Sequence, residues 1–397
     1  MKGNKSKIQS LLESADIQIN GSCPWDIRVL DERLYNKLVV HGSLGLGEAY
    51  MDGWWEADAL DGFFHRLLSS GLDKNYAITP RAVLGYLGAV IANLQNPTRV
   101  YSNIHHHYDI GNDLYRAMLD KRMVYTCAYW DKAQNLDEAQ EAKLELVCRK
   151  LGLQQGQRVL DIGCGWGSFA KYAAENYGVN VVGITISKEQ VELARKLCEG
   201  LPVEIRQQDY RDVDERFDHI VSLGMIEHVG YKNYKSYMEM VSRCLEDNGI
   251  FLLQTIGSNI SVRTTDPWIG KYIFPNSMLP SIKQIARAIE GRFVMEDWHN
   301  FGTHYDKTLM AWFQDFDSHW HVLKNNYPDR FYRMWKYYLL SCAGAFRSRS
   351  IQLWQIVLSK HGRAGGFDVS RHVARSKETF NNHLKTKQYE NIHQILR

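Results

Sequence analysis

Paired cysteines, long apolar runs and a strong charge of either sign are all missing from this chain of 397 residues. Its seven cysteines stand singly at 23, 127, 148, 164, 198, 244 and 342. No C-x-x-C pair exists, which argues against a zinc ribbon or a disulfide framework and fits a reducing cytoplasm. No stretch approaches the ~20 consecutive apolar residues that a bilayer-spanning helix needs, so any membrane contact is expected to be peripheral. The basic opening Met-Lys-Gly-Asn-Lys-Ser-Lys leads into no apolar stretch of the kind a secretory signal carries. The formal net charge is only +3, so nothing calls for nucleic acid as a partner. Internal repeats and low-complexity segments are absent as well.

What is present is an ordinary globular composition, 45% hydrophobic, with 22 Tyr, 14 Phe and 11 Trp. Length alone suggests two or three domains. Residues 8–90 form one compositional block within an N-terminal domain taken as 1–90, with Phe63, Phe64, Leu67 and Leu68 marking an apolar helical face. A polar, Pro-bearing stretch at 91–104 reads as a linker. Residues 105–397 form the second unit, with a polar tail after about 365. Abundant Tyr and Trp suit a lipid-facing surface and a well-packed core about equally.

The most informative stretch is Val159-Leu-Asp-Ile-Gly-Cys-Gly-Trp-Gly167. An apolar strand carries Asp161 at its end and runs into Gly163, Gly165 and Gly167. Glycines there permit close backbone approach to a ligand and backbone angles that other residues resist. The carboxyl ends of strands are where open α/β sheets bind ligands. The spelling D-x-G-x-G-x-G differs from the dinucleotide G-x-G-x-x-G, and no P-loop Lys follows. It resembles the first motif of S-adenosylmethionine (SAM) methyltransferases.

The surrounding pattern is α/β. Strands are expected at Arg158–Ile162, Val179–Ile184, Val203–Arg206, His219–Leu223 and Ile250–Thr255. Helices are expected at Ser168–Asn176 with Ser168 as N-cap, Lys188–Glu199 and Tyr234–Leu245. Strands alternating with helices predict a parallel, doubly wound, Rossmann-like sheet. Phe293–Trp298 and Ile351–Leu358 could close it. Between them lies a helical insertion, with stripes Leu309, Phe313, Phe316, Trp320 and Phe331, Trp335, Leu339, Cys342. Those stripes read equally as core faces or as the wall of an apolar substrate pocket.

Further segments narrow the substrate. They are His107–Asp113, Tyr125-Thr-Cys-Ala-Tyr-Trp130, Gly183-Ile-Thr-Ile-Ser187 with Gln190, Gln208-Asp-Tyr-Arg-Asp212 and Met225-Ile-Glu-His-Val-Gly230. Asp297-Trp-His-Asn-Phe-Gly302, Tyr305-Asp306 and Cys342-Ala-Gly-Ala-Phe346 complete the set. As an ordered series, from about residue 10 to 360, it resembles the cyclopropane-fatty-acyl-phospholipid synthases of the mycolic acid cyclopropane synthase-like family. The resemblance implies a class I SAM-dependent methyltransferase fold with a helical insertion and a smaller, mainly helical N-terminal domain that engages lipid or a second subunit. It implies SAM bound by Tyr125, Thr126, Asp161, Gly163, Cys164, Gly165, Gly167, Thr185, Ser187, Gln190, Asp209 and Tyr210. Thr185 and Gln190 would stand at the sugar and tail, where many such sites carry an acid. Asp209 and Tyr210 would stand at the adenine. Thr185 and Ser187 also suit the cap of the next helix, and both roles can hold at once; the weaker alternative for Asp209 and Tyr210 is the turn that ends a strand. No metal is implied.

An alkene is a weak nucleophile. Its attack on the sulfonium methyl leaves a carbocation, and loss of a methyl proton closes the ring. Such a site needs an apolar slot, shelter for a cation, a base, and exclusion of water. Tyr125, Tyr129, Trp130, Tyr305 and Phe346 offer ring faces. The resemblance implies a bound bicarbonate ion as base, cradled by Cys127, Glu227, Gln254, the Ile256 backbone and Tyr305, with Cys342 in the pocket. His228 could orient these groups or be an ordinary core histidine. One departure stands out. The family reads Leu-Leu-His-Thr-Ile-Gly where this chain reads Leu252-Leu-Gln-Thr-Ile-Gly257, and a Gln amide donates hydrogen bonds but carries no proton. The expected partner is a phospholipid bilayer carrying unsaturated acyl chains. The enzyme is expected to be a homodimer bound peripherally to the inner face of the cell membrane. The alternatives are a C-methyltransferase giving branched methyl or methylene chains, an N-methyltransferase of small amines, and a non-catalytic SAM- or lipid-binding protein.

Overall fold

The computed structural model describes residues 2–71 and 111–367. The predicted linker at 91–104, residues 107–110 of the His107 segment and the tail beyond 367 lie outside the described residues. The described chain opens with helix α1 (Lys2–Glu13), strand β1 (Arg28–Val29), helix α2 (Arg33–Met51), strand β2 (Trp55–Glu56) and helix α3 (Leu60–Ser69). Strands β1 and β2 pair as a small antiparallel ribbon. Helices α4 (Asn112–Met118) and α5 (Leu136–Leu151) follow. Asn135 caps α5 by accepting from the Glu138 N–H at 2.9 Å, and Gly152 closes it in the left-handed conformation.

The α/β core then runs β3 (Arg158–Ile162), α6 (Ser168–Tyr177), β4 (Asn180–Thr185), α7 (Lys188–Leu197), β5 (Val203–Gln207), β6 (Phe217–Leu223), α8 (Tyr234–Cys244) and β7 (Leu245–Ser258). Short helices α9 (Pro267–Tyr272) and α10 (Ile282–Ile289) lead to β8 (Val294–Asn300). The two long insertion helices, α11 (Thr303–Leu323) and α12 (Asp329–Arg347), precede β9 (Ile351–Ser359).

Seven strands form one sheet in the order β5-β4-β3-β6-β7-β9-β8. The first five are parallel, as the alternation of strands and helices predicts. The last two pair antiparallel, β9 to β7 and β8 to β9. An all-parallel sheet therefore fails at this edge. The α11–α12 hairpin returns the chain close to the end of β8, which lets β9 run back beside it with no right-handed crossover. The strands of the centre are apolar on both faces because helices cover both.

Ser168 does not cap α6. Gly167, at φ +80°, holds that position, and the Ser168 hydroxyl donates to the Arg122 carbonyl at 2.7 Å. The start of α6 is thus tied to the loop preceding α5.

The N-terminal elements and the insertion share one apolar cluster. Tyr337 of α12 meets Tyr50 at 5.5 Å, Phe64 at 5.2 Å and Trp268 at 4.5 Å between ring centroids. A Cβ on Gly344 would lie 2.6 Å from the Phe64 Cβ, so that glycine sets how closely α3 and α12 approach. Polar ties reinforce the contact. Arg347 of α12 grips Asp306 of α11 with two nitrogens, both at 2.9 Å, and Asp61 of α3 with a third at 2.6 Å. Within the predicted stripes Leu309, Phe316, Trp335 and Leu339 are buried, while Phe313, Trp320, Phe331 and Cys342 are half-buried.

Candidate active site

Each glycine after β3 has its own local reason. Gly163, Gly165 and Gly167 all take positive φ, at +78°, +54° and +80°. A Cβ at Gly163 would come within 2.9 Å of Met225, and one at Gly167 within 3.0 Å of the Cys198 sulfur. Gly165 differs, because a Cβ there would meet nothing within 4 Å. It faces the cavity at the carboxyl ends of β3, β4 and β6.

That cavity measures about 1130 Å³ with its open mouth included. Of the predicted cofactor residues, Tyr125, Thr126, Asp161, Gly163, Cys164 and Gly165 line it on the side of the glycine turn, and Thr185, Gln190, Asp209 and Tyr210 on the other. Gly167 and Ser187 stand behind the wall. Ser187 caps α7, its hydroxyl accepting from the Gln190 N–H at 3.3 Å. Thr185 donates to the Gln190 side-chain oxygen at 2.8 Å, so helix cap and cavity wall are one assembly. Asp209 holds the Arg211 backbone N–H at 3.0 Å and its guanidinium at 2.9 Å.

Asp161 is buried, and its Oδ2 has no hydrogen-bond partner among the described residues. Desolvation pushes its carboxyl up to about 7, against the pull of Lys143. Buried polar atoms are normally satisfied, so an orphan at a strand end beside a cavity marks a ligand position. The Tyr210 hydroxyl is a second such orphan on the same wall.

None of the predicted catalytic residues, Cys127, Glu227, Gln254, Ile256, Tyr305 and Cys342, is among the residues that line the cavity. Glu227 lies in a single 3-10 turn after β6. Its Oε1 accepts from the Ile256 N–H at 2.7 Å, and its buried Oε2 has no partner among the described residues. Desolvation raises the Glu227 carboxyl to about 7, opposed by that backbone hydrogen bond. The Ile256 N–H is therefore engaged by Glu227. Gln254, on β7, sits directly across from Gln355 on β9, and its Oε1 accepts from Gln355 Nε2 at 3.0 Å. The Gln254 Nε2 donor is buried and has no partner among the described residues.

Tyr305 stacks on Phe346 at 4.6 Å and stands edge-on to Trp312 at 5.9 Å. Burial raises its phenol well above the ordinary range, with further contributions from Cys127, Tyr125, Glu227 and Cys342, so these groups share one neighbourhood. The Cys127 thiol is fully buried, donates to the Ala128 carbonyl at 3.2 Å and is pushed well up by desolvation, which disfavours the thiolate. Burial likewise raises the Cys342 thiol, to about 12. Neither is poised as a nucleophile. Tyr129 lies against His299, Phe301 and His304, and Trp130 donates to the Thr308 hydroxyl at 2.9 Å.

Lys143, Gln208 and His228 also line the cavity. Gln208 lies inside a quoted motif with no task read for it, and His228, read as an orienting group or a core histidine, stands on the cavity wall. Desolvation depresses the His228 imidazole to about 4, so it is neutral at physiological pH. Lys143 escaped notice because a lysine on a helix ordinarily reads as solvated surface. Among the described residues no cluster of His, Cys, Asp or Glu could hold a metal ion.

A mainly parallel sheet flanked by helices, with this glycine turn at the end of β3, defines a class I SAM-dependent methyltransferase. Solved structures agree. The cyclopropane synthase MmaA2 from Mycobacterium tuberculosis superposes with a TM-score of 0.62 at 30% identity, covering 66% of this chain and 98% of that one. The mycolic acid cyclopropane synthase CmaA1, complexed with SAH and CTAB, gives 0.61 at 32% identity over 66% and 98%. The sequence profile of the mycolic acid cyclopropane synthetase family matches residues 95–356, and the chain belongs to that family. It is 55% identical over 361 residues to the cyclopropane-fatty-acyl-phospholipid synthase of Escherichia coli strain K12, covering 91% of this chain and 94% of that protein.

Proposed function

We propose that the protein is a cyclopropane-fatty-acyl-phospholipid synthase, which adds a methylene unit from SAM across the cis double bond of an unsaturated acyl chain. The observation that carries this reading is the 55% identity over 91% of the chain to an enzyme of that name. The local chemistry supports it. When bound, SAM supplies an electrophilic methyl group on a sulfonium. Asp161, Thr185, Gln190 and Asp209 offer the polar contacts for its amino, ribose and adenine groups, and Gly165 leaves room for them.

The alkene π pair forms the new C–C bond as the C–S bond breaks, and positive charge develops on the neighbouring carbon. Tyr125, Trp312, Tyr305 and Phe346 form a continuous run of rings, with Tyr125 5.1 Å from Trp312. Ring faces stabilise a cation by about 0.5–2 kcal/mol each and keep out the water that would trap it. A proton then leaves the new methyl group, and its C–H pair closes the ring.

Bicarbonate is proposed as the base that takes this proton. Two buried orphans support the fit, the Glu227 Oε2 and the Gln254 Nε2. With its carboxyl raised to about 7, Glu227 is substantially protonated at neutral pH and can donate to an anion. Gln254 adds a second donor, and Cys127 and Tyr305 complete the cradle. The Ile256 N–H contributes by holding Glu227 in place. The same reading takes a phospholipid bilayer as partner, met from the cytoplasmic side by a peripherally bound homodimer. No helix among the described residues is long and apolar enough to cross a membrane.

The test is incubation with SAM and unsaturated phospholipid vesicles, with and without bicarbonate, followed by lipid mass spectrometry and an alkene assay. The expected product gains one methylene unit, loses the alkene and forms faster with bicarbonate. A gain of mass with the alkene retained would instead identify a methylene-forming C-methyltransferase. No SAM-dependent mass change in either condition would overturn the reading.

A further inference from the structure

Lys143 is the basic side chain at the cavity that has no direct ion pair among the described residues; burial lowers its ammonium to about 8, while Asp120 and Asp161 act on it from beyond ion-pair distance. It is fully buried on α5. Its ammonium donates to the Thr126 hydroxyl at 2.9 Å. Among the described residues it forms no ion pair within 4.0 Å. The nearby Asp120 is occupied, since its two carboxylate oxygens accept the N–H groups of Val124 and Arg122 at 2.8 and 3.0 Å. A buried ammonium with spare N–H donors is costly unless an anion completes it.

The other basic groups on the cavity wall are not available for that purpose. Arg211 is paired with Asp209 at 2.9 Å, and His228 is neutral. The remaining charged groups on the wall, Asp161 and Asp209, are acids. SAM carries a single anionic group, the carboxylate of its methionine moiety, beside two cationic centres. Asp209 suits its cationic and hydroxyl-bearing parts, and Asp161, raised to about 7 and partly protonated beside Lys143, can stand next to a carboxylate without full repulsion. Lys143 and Thr126 together offer an ammonium and a hydroxyl, two donors suited to a carboxylate.

We propose that the Lys143 ammonium receives the methionine carboxylate of SAM, at the part of the cavity wall that it shares with Thr126. The assignment rests on SAM being the methyl donor. It also explains why α5 carries a buried lysine behind the Tyr125–Cys127 segment. Gln140, one turn earlier, donates to the Val124 and Thr126 carbonyls at 3.3 and 2.9 Å, so the segment is already held without Lys143.

Calorimetric titration of the full chain with S-adenosylhomocysteine and with its decarboxylated counterpart tests the assignment. The wild type should bind S-adenosylhomocysteine about 10- to 100-fold more tightly than the decarboxylated ligand, as a charge-assisted contact requires. Lys143→Met should lose about that factor for S-adenosylhomocysteine and leave the decarboxylated ligand within about twofold. Lys143→Arg should restore part of the preference. Equal loss of both ligands in Lys143→Met would mean that the lysine only braces the loop and would overturn the proposal. The wild-type comparison stands even if the variant fails to fold, because absence of a carboxylate preference there also overturns it. Failure of the wild type to bind S-adenosylhomocysteine at all would overturn the cofactor reading and this assignment together.

Discussion

At the scale of single residues, Glu227 carries the sharpest consequence. Its carboxyl is raised from 4.5 to about 7 in the folded protein. An acid raised on folding favours the native state at low pH, and that stability is lost as pH climbs from the ordinary value to about 7. Glu227→Gln keeps an acceptor for the Ile256 N–H and removes the ionisation. The variant should match the wild type in stability near pH 4. It should exceed the wild type by a margin that grows up to about pH 7, to of the order of 2–3 kcal/mol by linkage, as read from denaturant midpoints across pH. Its cyclopropanation rate should fall by about 10-fold, since the carboxyl O–H that would orient bicarbonate is replaced by a weaker amide donor. Gln254→Ala should slow turnover and raise the bicarbonate concentration needed for half-maximal rate. An unchanged bicarbonate dependence would remove Gln254 from the anion cradle.

At the scale of elements, the glycine turn separates binding from folding. Gly165→Ala places a methyl group in the cavity and costs about 1–2 kcal/mol of backbone strain, so cofactor affinity should fall well beyond what stability loses. Gly167→Ala instead meets the Cys198 sulfur and should lower the melting temperature with little selective effect on cofactor binding. This turn was legible in the sequence because three positive-φ glycines after an apolar strand have few other uses. The parallel strands were legible because burial on both faces leaves near-continuous apolar runs. Less legible was whatever depends on distant pairing. The direction of β8 and β9 follows from how the insertion returns the chain, which periodicity does not encode. The cap of α6 was misread because a serine beside a helix start suits that role, whereas here a left-handed residue had to precede the helix. Lys143 was missed because its burial comes from the sheet and the loop it faces, not from its own helix.

At the scale of the whole molecule, the N-terminal elements and the insertion behave as one packed body. Phe64 is buried against Tyr337 and Gly344 of α12. Phe64→Ala should therefore cost about 3–5 kcal/mol, measured as a drop in the melting temperature, although the residue lies far along the chain from any site residue. S-adenosylhomocysteine binding should be lost in the same thermal transition, because α12 and α11 carry Phe346 and Tyr305 at the site. Arg347, gripping Asp61 on one side and Asp306 on the other, adds a constraint of a different kind. Three positions far apart in the chain are committed to one charge arrangement, and Asp306 is the immediate neighbour of Tyr305. Inheritance of these positions should therefore be collective. A lineage that replaces one acid has to rebuild the arginine's surroundings, so chimaeras that take the first 70 residues from one relative and the rest from another should work only when all three charges travel together.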